Sequence, residues 1–134
     1  MNPLKYPYAK QSINGQDESA VLEALKSPVI TRGFFVEAFE KEVAEYCGAR
    51  FAVAFNSGST ALSAAFFAAE AGPHDRVLTT PNTFVATLSG ACQKGAAPVF
   101  IDIDRKTGNI DAEKLSYNLE NLSTRGKNIV VPVH

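Results

Sequence analysis

Tryptophan is absent from the 134-residue sequence, and only two cysteines occur, Cys47 and Cys92. Two are too few for a disulfide scaffold, and neither has a Cys or His nearby at metal-ligand spacing. Both are expected to be reduced and buried, and no metal site is expected. No charge of one sign dominates. Thirteen Lys and Arg against 14 Asp and Glu give a net charge of -1, which offers no electrostatic reason for a nucleic acid or an anionic membrane as partner. No apolar run approaches the roughly 18 residues of a membrane span. Residues Met1 to Lys10 lack the apolar stretch of a signal peptide. The chain is therefore expected to be soluble and cytoplasmic. What is present fits a globular protein: 46% apolar and 20% charged residues, with nine Phe and four Tyr to fill a core. The length suits one domain or less.

Residues 1–16 read as an extended arm, with Pro3, Pro7, Asn14 and Gly15 breaking any helix pattern. From Asp17 the residues Val21, Leu22 and Leu25 recur at helical spacing until Ser27-Pro28 ends the run. After a connector at 29–33, a second helix is predicted over Val36 to Cys47. Its apolar side is Phe35, Phe39, Val43 and Tyr46, its solvated side is rich in Glu, and Gly48 is its cap. The pattern then changes. Phe51 to Phe55 predicts a buried strand, Asn56 to Thr60 a turn, and Ala61 to Ala71 a helix. Strands follow at Arg76 to Thr80, Pro98 to Ile103 and Asn128 to Val133. Helices at Phe84 to Lys94 and Asp111 to Leu119 separate them. Such alternation predicts a mostly parallel sheet with helices on both faces. The chain ends at His134, directly after an apolar strand-like run, so the sequence is expected to be the N-terminal part of something longer.

Chemistry points first to Asn56-Ser57-Gly58-Ser59-Thr60. A helix N-terminus has unpaired N–H groups and a positive dipole end, so it receives anions. Gly58 would let a ligand approach the backbone, and Ser59 and Thr60 add hydroxyls. A phosphate would suit this turn. The alternative is that Ser57 or Ser59 only caps the helix. The turn lacks the lysine of a P-loop, the spaced glycines of a dinucleotide fingerprint and the flanking glycines of a nucleophile elbow. A second turn, Thr80-Pro-Asn-Thr-Phe84, would open on the same rim of an α/β sheet. There Phe84 either stacks on a flat ring or packs into the core. His74 reads as solvated. Asp102 and Asp104 read as turn formers with Thr107 and Gly108. The sequon Asn121-Leu-Ser123 has no sign of secretion to support it.

With both turns in hand, the chain resembles the DegT/DnrJ/EryC1/StrS family of pyridoxal-phosphate-dependent sugar aminotransferases. The ordered motifs are Val29-Ile-Thr-Arg-Gly33 with Val36-Glu-Ala-Phe-Glu40, Asn56 to Leu62, Gly72 to Val77, Thr80 to Thr87, Gly95 to Asp104, Asn109-Ile-Asp111 and Pro132-Val-His134. Within the family, Tyr6-Pro-Tyr8, Ile30-Thr31 and Ala44 to Gly48 look most like the enzymes that aminate UDP-4-keto-6-deoxy-HexNAc sugars on the route to pseudaminic acid.

The resemblance implies an α/β fold, the N-terminal part of the large domain of a fold-type I aminotransferase. Residues 1–16 would be an arm, and 17–134 a truncated portion of the cofactor-binding domain. It implies that Gly58, Ser59 and Thr60 hold the phosphate of pyridoxal 5′-phosphate and that Phe84 stacks on its ring. Ser59 stands where Thr is common, and some relatives carry Trp at position 84. Tyr6 and Thr31 would face the sugar nucleotide. His74 replaces a usual glycine in a surface turn. The implied reaction moves an amino group from glutamate to a 4-keto-6-deoxy sugar nucleotide, in a homodimer whose sites form across the interface. The lysine that carries the cofactor and its acidic partner lie, in the family, beyond the position of His134. None of Lys94, Lys106, Lys114 or Lys127 falls in the matching motif, so this chain alone is expected to be inactive. Two other readings stay open. One is a sugar dehydratase of the same family, and the other is a non-catalytic truncated paralogue acting as an association module.

Overall fold

The computed structural model of the chain describes residues 9–122 and 125–133. Tyr6 lies outside them, as do Ser123 of the sequon and His134. The chain divides into two compact units, Met1–Ala54 and Phe55–His134.

The first unit carries two helices. Helix α1 spans Gly15–Lys26. It begins two residues before the expected start because Asn14 builds a capping box. The Asn14 side chain accepts the Gln16 and Asp17 N–H groups at 2.7 and 3.3 Å, and Asp17 accepts the Asn14 N–H at 2.8 Å. Gly15 therefore opens the helix and does not break it. Helix α2 spans Phe34–Cys47 and stops at Gly48, whose φ of 63° suits glycine and whose N–H returns to Ala44 and Glu45. Its expected apolar side is only partly covered. Ala44 is buried, Phe35 and Val43 are half-buried, and Phe39 and Tyr46 are exposed.

The expected buried strand at Phe51 to Phe55 is not found. The segment has no ladder partner among the described residues, and Phe51 and Val53 are 75% and 69% exposed. A strand needs a neighbouring backbone, and here the Ala54 N–H donates to the Glu40 carboxylate at 2.8 Å. The two cysteines correct a second expectation. Both are unpaired and both are exposed. Cys47 ends α2, and Cys92 lies on an uncovered side of its own helix.

The second unit is built around a parallel sheet. Helix α3 (Gly58–Ala68) precedes strand β1 (Arg76–Thr79), helix α4 (Ala86–Gln93), strand β2 (Ala97–Phe100), helix α5 (Ala112–Asn121) and strand β3 (Asn128–Val130). The strands lie in the order β2-β1-β3, with Val77 level with Pro98 on one side and Ile129 on the other. The chain thus passes back over β1 between β2 and β3. With right-handed crossovers, α4 and α5 fall on opposite faces of the sheet. β1 is central, and Val77, Leu78 and Thr79 are fully buried. Val77 joins Phe66, Ala71, Ala91 and Ala96 in the core, flanked by Leu62, Leu88, Ile129 and Val131. Residues Asp104 to Asn109 form the expected turn, in which the Asp104 carboxylate accepts from the Lys106 and Thr107 N–H groups and the Thr107 hydroxyl.

One buried polar atom stands apart. The Thr79 hydroxyl has no partner among the described residues and no exposure. A buried, unmatched hydroxyl costs about 1–3 kcal/mol in desolvation. Thr79→Val keeps the shape and removes the penalty, so it is expected to stabilise the chain by about 1 kcal/mol. Urea unfolding followed by far-ultraviolet circular dichroism checks this. A loss of stability would reveal a partner for the hydroxyl, such as trapped water.

Candidate functional site

The orientation of α3 decides where its N-terminus points. At its far end the Lys127 ammonium donates to the Ala69 and Glu70 carbonyls at 2.6 and 3.0 Å. The Asp75 carboxylate accepts the Lys127 N–H at 2.7 Å and the Gly72 N–H at 2.9 Å. These bonds, with the Lys127 charge, hold the Asp75 carboxyl below its ordinary range, the Lys127 backbone bond first. Asp75 precedes β1 and Lys127 precedes β3, so the C-terminal end of α3 is tied to the amino ends of the strands. The N-terminus of α3 therefore lies toward the carboxyl ends. Helix α4 starts at that rim, since it follows β1, and ends where β2 begins.

The two helices cross where Gly90 meets Ser63. A Cβ at Gly90 would stand 2.9 Å from the Ser63 Cα. Gly58 lies about 8 Å and Ala86 about 6 Å up their helices from this crossing, at roughly 1.5 Å per residue. Both starts thus face one rim.

At the start of α3 the four polar residues behave differently. Ser57 is the cap, accepting the Thr60 N–H at 3.2 Å. The Thr60 hydroxyl lies 2.8 Å from both the Asn56 side-chain oxygen and the Ser57 carbonyl, and turns inward. Thr60 therefore shapes the turn. The N–H groups of Gly58 and Ser59, and the Ser59 hydroxyl, have no partner among the described residues, and both residues are exposed. No acidic side chain in the first turn offsets the dipole. A Cβ at Gly58 would meet nothing within 4 Å, so the protein itself does not require glycine there. The cap does not exhaust the turn, because Ser57 accepts the Thr60 N–H and leaves the Gly58 and Ser59 amides open. A phosphate fits this donor set: free N–H groups, a free hydroxyl and an open approach.

Phe84 precedes α4 and is 74% exposed, so the core alternative does not hold. It borders an apolar hollow of about 440 Å³ with Pro81, Val85, Leu88, Cys92 and Phe100. Thr31 is exposed in the bend before α2, beside Arg32 at φ 56°. It lies in the first unit, whereas Gly58, Ser59, Thr60 and Phe84 all lie in the second.

The lysines have other engagements. Lys114 pairs with Asp102 at 2.7 Å, and this carboxylate holds its ammonium above the ordinary lysine range. Lys94 sits over the Phe67 ring at 4.6 Å. Lys106 is exposed in the Asp104 turn. The Asp102–Lys114 pair was not legible from spacing, since 12 residues separate the partners. Among the described residues, no group of His, Cys, Asp and Glu is placed to hold a metal, and no helix is long and apolar enough to cross a membrane.

A parallel sheet whose chain doubles back over its first strand, with two helix starts on its carboxyl rim, defines an α/β protein of the doubly wound kind. The comparisons place it within that class: residues 11–134 match the DegT/DnrJ/EryC1/StrS aminotransferase family, and the chain belongs to it. It is 43% identical, over 96% of its length, to the spore coat polysaccharide biosynthesis protein SpsC of Bacillus subtilis. It is 42% identical, over 87% of its length, to a UDP-4-amino-4,6-dideoxy-N-acetyl-beta-L-altrosamine transaminase of Campylobacter jejuni. Among solved structures, Helicobacter pylori PseC, an aminotransferase involved in pseudoaminic acid biosynthesis, superposes with a TM-score of 0.82 at 32% identity, covering 95% of this chain and 33% of PseC. The chain spans about one third of the length of the curated relatives, 32% and 31%. The family is one of sugar aminotransferases, and its cofactor is pyridoxal phosphate.

Proposed function

We propose that this chain is the cofactor-phosphate and ring-stacking part of a sugar-nucleotide aminotransferase. The reading rests on one observation: the two free amides and free hydroxyl of Gly58 and Ser59 at the start of α3. In it, Gly58 and Ser59 donate to the phosphate, Thr60 and Asn56 hold the turn, and Phe84 covers the pyridine ring. The family resemblance assigns contacts with the sugar nucleotide to Tyr6, which lies outside the described residues, and to Thr31. Pyridoxal phosphate supplies the electron sink for moving an amino group, and the protein supplies grip and orientation. The altrosamine transaminase and PseC similarities support a UDP-linked 4,6-dideoxy sugar on the pseudaminic acid route; a 4-keto-6-deoxy sugar nucleotide as acceptor and glutamate as donor follow from the family resemblance. The enzyme is cytoplasmic and works as a homodimer.

The chain alone is inactive in this reading, because none of Lys94, Lys106, Lys114 or Lys127 falls in the motif that carries the cofactor in the family. A lysine in that role must give up its proton readily. Lys114 is held in the charged form by Asp102. Treatment with pyridoxal phosphate and then borohydride is expected to leave sparse labels spread over surface lysines. Incubation with glutamate and a UDP-linked 4-keto sugar should yield no amino sugar. Mass spectrometry showing one lysine labelled one-to-one, or amino sugar formed at more than one equivalent, would overturn the claim of inactivity.

A further inference from the structure

Phe84 has an exposed ring, so packing does not set its position. The backbone that carries it must be held by something else. α4 offers little, because its cap residue Val85 makes no side-chain hydrogen bond. Thr87 makes two ties instead. Its N–H donates to the Phe84 carbonyl at 3.0 Å, and its hydroxyl shares a 2.8 Å hydrogen bond with the Thr83 hydroxyl. Thr87 is buried and Thr83 half-buried, so this pair competes little with water. The two bonds bracket Phe84, one at the residue before it and one at its own carbonyl. The N–H bond belongs to any residue at position 87, whereas the hydroxyl bond depends on the side chain.

We infer that Thr87 is a positioning residue, whose hydroxyl locks Thr83 and so fixes the ring of Phe84 for a flat heterocycle. This rests on the proposed role of Phe84. A valine at 87 matches threonine in shape but loses the tie, and a serine keeps it.

Pyridoxamine 5′-phosphate is the probe, since it binds without a carrier lysine. Titration calorimetry and the near-ultraviolet dichroism of the bound ring are the readouts, with inorganic phosphate as a second ligand. The unsubstituted chain should bind the probe saturably. Thr87→Val should bind it about five-fold more weakly, near the loss of one aromatic contact, with a diminished dichroic band. Thr87→Ser should behave as the unsubstituted chain. The Thr83→Val, Thr87→Val double variant should be no weaker than either single one. Phosphate affinity should be the same in all, because it reports only on α3. Equal probe affinity for Thr87→Val and the unsubstituted chain would overturn the inference, as would loss of phosphate binding or failure of serine to rescue. Phe84→Ala separates the two levels. If it weakens binding while Thr87→Val does not, only the positioning role falls. If it binds like the unsubstituted chain, or if the unsubstituted chain does not bind, the role of Phe84 falls and this inference with it.

Discussion

Gly90→Leu is expected to unfold the second unit. The reason lies in backbone and not in side-chain crowding alone. A Cβ at position 90 would stand 2.8 Å from the Ser63 Oγ, 2.9 Å from the Ser63 Cα and 3.3 Å from a Phe66 ring carbon. The Oγ can rotate away. The Cα cannot move without shifting α3, which Lys127 holds at its far end and Phe66 anchors in the core. Gly90→Ala sets this clash, about 1–3 kcal/mol for overpacking, against a helix-propensity gain of roughly 1 kcal/mol. It should cost about 1 kcal/mol net. Leucine adds three more carbons to the same contact, and helices α3 and α4 must separate to admit them. A small unit has about 5–10 kcal/mol of stability in total, so parting the helices that cover Val77 should exceed it. Urea titration followed by far-ultraviolet dichroism measures both variants. Gly58→Ala is the control, because its Cβ would meet nothing. If Gly90→Leu unfolds at the same urea concentration as the unsubstituted chain, the α3–α4 crossing does not hold the unit together.

Such a contact was not readable in advance, whereas the strand-helix alternation was. Arg76 to Thr79, Ala97 to Phe100 and Asn128 to Val130 were legible because short apolar runs with turn residues at both ends have few other uses. The run at Phe51 to Phe55 has the same appearance and is not a strand, since pairing depends on a neighbour that local pattern cannot supply. The cysteines failed for a related reason: a preference for burial does not say which side of a helix is covered. At the candidate site, the residue pattern was enough to single out Gly58, Ser59 and Phe84 as candidates, because a small polar turn before a helix has a physical use. It did not distinguish Ser59, whose hydroxyl has no partner among the described residues, from Thr60, whose hydroxyl donates to Asn56. That difference is one of side-chain geometry. The Lys127 tie to Ala69 and Glu70 spans 58 and 57 residues, beyond the reach of any local rule.

Gly58→Pro is expected to abolish most phosphate and pyridoxamine phosphate binding while leaving the fold intact. Position 58 is the first residue of α3, where proline is well tolerated because its missing N–H has no helical partner. Ser57 already has the extended backbone that a following proline demands, at φ -158° and ψ 156°. Stability should therefore hold or rise slightly, by about 0.5 kcal/mol. Binding should fall for two reasons. The substitution deletes one of the two amides that face outward, and it puts ring carbons where that N–H pointed. A hydrogen bond to a charged group is worth about 1.5–3 kcal/mol, so affinity should drop at least roughly ten-fold and up to about a hundred-fold. Ser59→Ala, which removes one hydroxyl donor to the charged phosphate but keeps the N–H and puts no ring carbons in the way, should cost about ten-fold. The paired measurements decide between the two uses of the turn. If α3 were merely capped, Ser57 would still accept the Thr60 N–H in both variants, and neither would change ligand affinity. A folded Gly58→Pro chain that grips phosphate as well as its parent would remove the anion from the start of α3, and with it the basis for seating the cofactor there.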